Sequence, residues 1–492
     1  MAANVRQLIA SWHVEEPAAE HNHSMKPSEH PRLTTTTPRL LSFLFFVIDD
    51  LATRLGCYGD AAAITPHIDR LAQRGVVFDR AYTQGSVCTP SRTSFMTGLR
   101  RGTKGNGNYW KSHPQTMTLG RYFRQHGYQT FLVGKIDHDH CGGRPPHTCF
   151  IDPKAWDVRG DLDVDNIRHA HRKNSTKNGA GSRKMIADDT KYGLPPLGSI
   201  TPRAELLRDW AVAERAIHFL HAHDTWRPFF AAVGFTGTHM PLQTTEELWA
   251  AHSDVSRFTL QTTPPNVTQL PKGSLVRERP LFLNNEDTRT GYRGYYAAIS
   301  AVDEQVGRVV DQMQEADVQR TVLTLHADHG FHLDWHGQWG KHSLFEGTMR
   351  VPLIVSHPLH AHGDRAAGIV ELLDLFPTLV DVAALPMPNE PLDGASFLPL
   401  IEKPLQAQGK AGAFCYWGNG RTVRTLDWRL IERSDGTHEL YEHDLQSDGS
   451  DPALEWYSLT DNATQRSRVE AMHTMLVSTF KKETVKEICC HG

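Results

Sequence analysis

Short apolar runs rich in Phe, Val and Leu recur along the chain at Phe43–Ile48, Thr130–Val133, Phe229–Phe235, Thr321–Leu325 and Leu353–Ser356. Between them apolar positions return every three or four residues, over Pro66–Arg74, Thr118–His126, Ala204–His223, Arg293–Glu315 and Val370–Ala384, and Gly75 and Gly127 stop the first two as helix C-caps do. Near-continuous apolar strands separated by helices belong to a sheet covered on both faces. The predicted fold is therefore α/β, a large doubly wound, mostly parallel sheet sandwiched by helices. Beyond about Pro388 the pattern shortens and alternates, over Ala413–Trp417, Arg421–Thr425, Trp428–Arg433 and His438–His443, with Gly436 as a turn. This predicts a smaller C-terminal α+β subdomain with an antiparallel sheet, on which a helix over Thr464–Lys481 would pack. Two polar stretches, Arg159–Pro202 and His252–Asn285, read as long loops rimming a pocket.

Polar residues break the pattern at consistent places. Asp49-Asp50, Lys135, His239 and Asp328-His329 each fall at or just past the end of a predicted strand, the edge where open α/β sheets bind ligands. Three carboxylates gathered there would repel one another unless a cation sat among them, and their oxygens favour Ca²⁺ or Mg²⁺ over softer metals. Asp49-Asp50 alone reads as a helix cap beside a solvated acid; Asp328-His329 favours the metal.

Seven cysteines in 492 residues are no disulfide framework, and an odd count leaves at least one free or modified. Cys88 opens the segment Cys88-Thr89-Pro90-Ser91-Arg92, and a helix is expected to run from there to Gly98. Pro suits the first turn of a helix, so the Cys88 side chain would face free backbone N–H groups, a natural anion site. Arg92, one turn on, would reach toward the same spot, with Thr93 or Ser94 adding hydroxyls. Without the flanking Pro and Arg, Cys88 would read as an inert buried thiol. Lys135 and Lys341 suit neutralising an anion, and His138 and His239 suit proton transfer near neutral pH, although single His and Lys residues are more often surface groups. The tract His138-Asp139-His140-Cys141, with His147 and Cys149, reads either as a zinc site or as a lip bridged between Cys141 and Cys149. His326, His332 and His342 read as supporting or surface groups.

Composition narrows the partners. A net charge of −4 and a pI near 6.7, with no long Lys/Arg cluster, leave no electrostatic footprint for nucleic acid. Residues 1–38 have no apolar periodicity and lack the basic start and apolar core of a secretory signal, so they read as a disordered or mis-assigned leader. Leu41–Ile48 is too short to cross a bilayer, and no transmembrane segment is expected. Asn174, Asn266 and Asn462 head glycosylation sequons, which matter only in a secretory pathway.

Taken together these motifs resemble the sulfatase family of the alkaline phosphatase-like superfamily, in its iduronate-2-sulfatase-like branch. Cys88 to Arg92 matches C-x-P-x-R and Gly134 to His138 matches G-K-x-x-H. Gly237-Thr238-His239-Met240-Pro241 is similar to the family's His-x-Pro turn, and Asp328-His329-Gly330 through Lys341 to its D-H-G…H-G-x-W-x-K segment; the likeness spans most of residues 43–460. It implies that a formylglycine-generating enzyme oxidises Cys88 to formylglycine. It also implies one Ca²⁺, with Mg²⁺ the alternative, held by Asp49, Asp50, Cys88, Asp328 and His329, where His329 replaces an Asn found in many members. Cys88, Arg92, Lys135, His138, His239 and Lys341 would be catalytic: one hydroxyl of the hydrated aldehyde attacks sulfur, and the other expels sulfate. His138 would be the base for that second step, with His239 and Lys341 protonating the leaving oxygen. Residues 39–388 would form the catalytic domain and 389–492 the small subdomain. The implied substrate is a sulfated carbohydrate, such as a sulfated uronic acid or another polysaccharide-derived sugar, met in a secreted, periplasmic or lysosomal setting. Two rivals stay open: a phosphonate or phosphodiester hydrolase, because fold alone does not settle the bond cleaved, and a non-catalytic sulfated-glycan binder.

Overall fold

In the computed structural model, which describes residues 40–100, 115–137, 152–160, 183–184, 198–260, 274, 285–360, 363–418, 420–443 and 455–480, the apolar runs are strands of one sheet. In chain order the strands are β1 (Ser42–Ile48), β2 (Val76–Tyr82), β3 (Gln129–Gly134), β4 (Val158–Gly160), β5 (Arg183–Lys184), β6 (Gly198–Thr201), β7 (Phe229–Phe235), β8 (Leu242–Thr245) and β9 (Thr321–Ala327). They continue with β10 (His332–Trp335), β11 (Gln338–Gly340), β12 (Arg350–Val351), β13 (Leu353–Ser356), β14 (Asp364–Glu371), β15 (Ala413–Trp417), β16 (Gly420–Arg424), β17 (Trp428–Arg433) and β18 (His438–Glu442). The main sheet runs β12-β2-β13-β9-β1-β7-β3-β4, with β14 alongside β2. Its centre, β9-β1-β7-β3, is parallel throughout. The strands β12 and β13 lie antiparallel on the same side of β2; Pro352, which has no N–H to give the ladder, divides them.

Every residue of β1 is buried, as its unbroken apolar sequence requires of a central strand. Phe43 and Phe45 meet Phe123, Phe95 and Phe230 with ring centroids 4.9 to 6.4 Å apart, and each buried phenylalanine contributes roughly 1.5–3 kcal/mol. Helices Leu119–Gln125, Arg208–Ala222, Asn285–Asp311 and Leu375–Val382 supply further residues to the same core. The doubly wound, mostly parallel architecture expected from periodicity is the one observed.

Several boundaries differ from the sequence reading. The helix expected over Val370–Ala384 begins only at Leu375, after a 3-10 turn over Leu372–Asp374. Val370 instead lies opposite Ala81 in the parallel β14/β2 ladder, and the buried Glu371 carboxylate is held by Arg100 at 2.6 and 2.7 Å and by Lys410 at 2.7 Å. The strand β2 escaped notice because Asp79 and Arg80 interrupt its apolar run; Arg80 lies buried and donates to the Ala367 carbonyl at 3.0 Å. The expected loop Arg159–Pro202 contributes β5, β6 and part of β4, and β5-β6-β8 form a small separate sheet. Residues 161–182 and 185–197 of that stretch, and 261–273 and 275–284 of His252–Asn285, fall outside the described residues; Val255–Arg257 is a 3-10 turn.

The antiparallel sheet β15-β16-β17-β18 is present as expected. One face carries helix Arg466–Thr479 over Tyr416, Val423, Leu430 and Leu440. The alternate residues, Cys415, Ile431 and Tyr441, pack with Tyr82, Phe345, Met349 and Ile369, so this sheet shares a core with the large one. A buried ion network crosses the seam. Glu346 accepts from Arg424 Nε at 3.2 Å, from Arg429 Nη2 and from the Tyr82 hydroxyl at 3.0 Å. Glu455 accepts from the Glu346 N–H at 2.7 Å and from Arg429 Nε at 2.5 Å.

Candidate active site

The strand order delivers the polar residues to one place. In register, Ile48 at the end of β1 lies opposite Ala327 of β9 and Phe235 of β7, and Gly134 of β3 lies opposite Gly234. The next residues along each strand therefore emerge side by side: Asp328-His329, Asp49-Asp50, Thr236 to His239, and Lys135. Gly134 makes the turn into Lys135 with φ 74°, and a Cβ there would sit 2.0 Å from the Gly234 carbonyl oxygen, so only glycine fits.

Facing this edge, helix Cys88–Thr97 begins at Cys88 itself, with Val87 extended before it. The Cys88 Sγ lies 3.1 Å from Lys341 Nζ, 3.4 Å from Lys135 Nζ and 3.4 Å from His329 Nε2. Lys135 Nζ also meets Asp49 Oδ2 at 2.5 Å, and Lys341 Nζ meets Asp50 Oδ1 at 2.7 Å. His329 Nε2 stands 3.2 Å from Asp50 Oδ1, while its Nδ1 is engaged by the Gly330 carbonyl at 2.9 Å. His239 similarly engages the Met240 carbonyl through Nδ1 at 2.6 Å, which leaves Nε2 for the group it forms with Asp49, Asp50 and Cys88.

These contacts set the charges. Burial and the Asp49 carboxylate push the Cys88 thiol up, yet Lys341, Lys135 and His329 outweigh them and hold it well below its ordinary value. Burial raises Asp49 too, but Lys135 and Arg92 hold it well below the usual carboxylate range. Burial opposes the charge on Lys341, and Asp50 with Cys88 overcomes it, so the ammonium persists above its normal range. His239 is raised in the same way, burial being outweighed by Cys88, Asp50 and Asp49. The helix N-terminus and its cationic rim form a site for an anion with two proton donors beside it.

Of the expected site residues, the structure brings together Asp49, Asp50, Cys88, Arg92, Lys135, His239, Asp328, His329 and Lys341. His138 lies outside the described residues, as do His140, Cys141, His147 and Cys149 of the zinc-or-disulfide tract. Arg92 is a correction. Its guanidinium does not reach toward an anion beside Cys88; it is 1% exposed and donates to Asp328 Oδ2 at 2.8 Å, Asp49 Oδ1 at 3.1 Å and the Ile136 carbonyl at 2.9 Å, with a further bond to the Lys135 carbonyl. Five donors in a planar fork suit this clamp across three strand ends. The expected repulsion among the aspartates is corrected by the same contacts, since Arg92, Lys135 and Lys341 already offset them. His326 is packed between Phe45 and Phe95, His332 bonds Ser343 at 2.7 Å, and the His342 ring lies tilted against Trp417 with centroids 5.2 Å apart.

Sequence reasoning missed the residues that hold the backbone of the aspartates. The Tyr295 hydroxyl accepts from the Ala52 N–H at 2.8 Å and donates to the Asp50 carbonyl at 2.7 Å, pinning Asp50 in the left-handed region at φ 59°. Thr238 donates to the Asp49 carbonyl and Ser91 to the Asp328 carbonyl. Thr238 at least sits in a motif; nothing in the helix around Tyr295 marks it.

The donor set suits a hard divalent cation. Asp49, Cys88, Asp328 and His329 offer ligand atoms all within 4.8 Å of one another, and Asp50 adjoins them. The engaged Nδ1 of His329 leaves Nε2 as the ligand atom. Burial opposes a proton on His329, but Asp328 raises it to about 9; a bound ion would take that proton's place.

Comparison with known proteins bears on this arrangement. A family model described as Sulfatase matches residues 42–385, and one described as N-sulphoglucosamine sulphohydrolase, C-terminal, matches residues 334–482. The chain is similar to iduronate 2-sulfatase of Mus musculus, 31% identical over 395 residues, covering 71% of this chain and 69% of the relative. It is also similar to a sulfatase of Formosa agariphila, 26% identical over 458 residues, covering 89% and 86%. Among solved structures, a phosphonate monoester hydrolase of Agrobacterium radiobacter superposes with a TM-score of 0.71 at 19% identity, covering 90% of this chain and 96% of that one. A protein in complex with its substrate D-glucosamine-2-N,6-O-disulfate superposes with a TM-score of 0.68 at 19% identity, covering 91% and 100%.

Proposed function

This chain belongs to the sulfatase family and is a sulfuric ester hydrolase, and we propose that it removes sulfate from a carbohydrate, with a sulfated uronic acid as the leading candidate. The observation that carries this reading is the convergence of Lys341, Lys135 and His329 on the Cys88 sulfur at 3.1 to 3.4 Å, at the start of a helix. The curated relatives named iduronate 2-sulfatase support the sugar class.

We assign the roles as follows. Residue 88, converted to formylglycine by a formylglycine-generating enzyme, would supply a hydrated aldehyde as nucleophile. Asp49, Asp50, Asp328 and His329, with residue 88, would hold a divalent cation, Ca²⁺ in this proposal, which supplies charge stabilisation for the sulfate oxygens. Arg92 positions Asp49 and Asp328. Lys135 and Lys341 bring two ammonium groups to the place a sulfate would occupy. His239 Nε2 and Lys341 Nζ hold the protons available to the leaving oxygen, and His138 keeps the role of base for release of the product.

A leaving-group comparison tests this reading. A nitrophenyl sulfate needs little protonation, so His239→Ala or Lys341→Ala is expected to slow a sugar sulfate on the order of a hundredfold or more and the nitrophenyl ester much less. Equal losses on both substrates would remove these residues from the acid role. A wild-type protein faster on an aryl phosphodiester than on any sulfate would favour the phosphonate and phosphodiester hydrolases instead.

The charge balance sharpens the expectation for metal removal. Because three cations of the chain already offset the three aspartates, chelation is expected to abolish turnover while lowering the melting temperature only slightly, and Ca²⁺ should restore activity. A dialysed protein without a divalent ion that keeps full activity, or one that unfolds on chelation, would contradict the assignment.

A further inference from the structure

The antiparallel sheet and its covering helix meet along an apolar seam that ends in three polar residues. Side chains alternate across a strand, so Glu432 shares a face with Leu430, and His438 with Leu440; Leu430 and Leu440 are core residues under helix Arg466–Thr479. Glu432 and His438 are direct cross-strand partners on β17 and β18. The helix brings His473, next to the buried Met472, over the same end of the sheet. Here, where the apolar pattern would continue, the chain instead places a carboxylate and two imidazoles whose ligand atoms all lie within 4.8 Å of one another.

The hydrogen bonding leaves this group incomplete. Arg421, opposite Glu432 on β16, holds Glu432 Oε2 at 2.8 Å, while Oε1 faces His473 Nε2 at 3.6 Å, too long for a good hydrogen bond. His438 Nε2 is buried with no hydrogen-bond partner among the described residues, and its ring is 5.3 Å from that of His473. Two imidazoles facing each other cannot both be protonated at low cost, and a buried ring nitrogen without a partner is itself unfavourable.

We propose that Glu432, His438 and His473 form a second metal site, separate from the one at Cys88, which takes a borderline divalent ion of the Zn²⁺ type and ties the C-terminal helix to the sheet. Two imidazole nitrogens and one carboxylate oxygen are the ligands such ions prefer, whereas the oxygen-rich set around Asp49 suits Ca²⁺. The ligand atoms already lie within 4.8 Å of one another, His473 stands half-buried at the rim, and a fourth position would be left to water. An ion here replaces a 3.6 Å contact and an unpaired ring nitrogen with three bonds from three elements, so it stabilises the subdomain without touching the chemistry at Cys88.

The test uses the full chain with excess Ca²⁺, so that the carboxylate-rich site is filled, and titrates Co²⁺ by its visible absorption and Zn²⁺ by melting temperature. Wild type is expected to bind one more equivalent of Co²⁺ than His473→Ala, and Zn²⁺ should raise the melting temperature of wild type by a few degrees but not that of the variant. His438→Asn should behave as His473→Ala does, and both should keep wild-type sulfate release. If both variants fold and bind as much Co²⁺ as wild type with the same Zn²⁺ shift, the proposal is overturned and Glu432–His473 is an ion pair only.

Discussion

A Cys88→Ala protein is expected to fold normally and to lose turnover on the order of 10⁴-fold or more, the scale on which loss of a covalent nucleophile acts. The fold survives because the side chain is small and helix Cys88–Thr97 keeps its other buried contacts; the cost is about 1 kcal/mol. The activity does not survive because the cationic groups around position 88 would face a methyl group. The same protein gives a chemical readout. Wild type made together with a formylglycine-generating enzyme should label at residue 88 with an aldehyde-reactive hydrazide, and the variant should not. Full turnover by the alanine variant would remove residue 88 from the mechanism.

Arg92 should show an effect as large, on stability as well as rate. Arg92→Met leaves the carboxylates of Asp49 and Asp328 buried without their shared partner, a change that costs roughly 3–5 kcal/mol. Arg92→Lys keeps the charge but cannot span Asp328, Asp49 and the two carbonyls at residues 135 and 136 together, so it should fall between. Urea unfolding with the ion site filled would rank the three proteins. A methionine variant as stable as wild type would mean that the guanidinium is not the clamp its contacts describe.

The edge of the sheet was legible because buried strands write themselves as unbroken apolar runs and polar residues follow directly after them. That rule placed Asp49, Lys135, His239 and Asp328 correctly, since each lies within four residues of its strand. It says nothing about side chains that arrive from elsewhere. Spacing put Arg92 one turn beyond Cys88 but not the direction of its guanidinium, which the four carbonyl and carboxylate partners around it decide. Tyr295 lies 245 residues from Asp50 in a helix whose pattern is fully explained by packing. Likewise Val370 and Glu371, the last two residues of β14, read as the start of a helix because Val370 and Leu373 fit a helical stripe locally, and only the ladder to β2 makes them strand.

The ion network at Glu346 bears on how this protein can be cut. Glu346 lies five residues after Lys341 on the segment that completes the pocket, yet its cationic partners Arg424 and Arg429 come from the antiparallel sheet. A fragment ending near residue 388 would strand a buried carboxylate five residues along the chain from Lys341. A grafted C-terminal half from a distant relative would do the same unless it carried both arginines at the same height. The two halves are therefore not interchangeable parts: library designs that shuffle them must treat Glu346, Arg424, Arg429 and Glu455 as one inherited unit, and a minimal catalytic fragment needs a new residue at position 346 before it needs anything else.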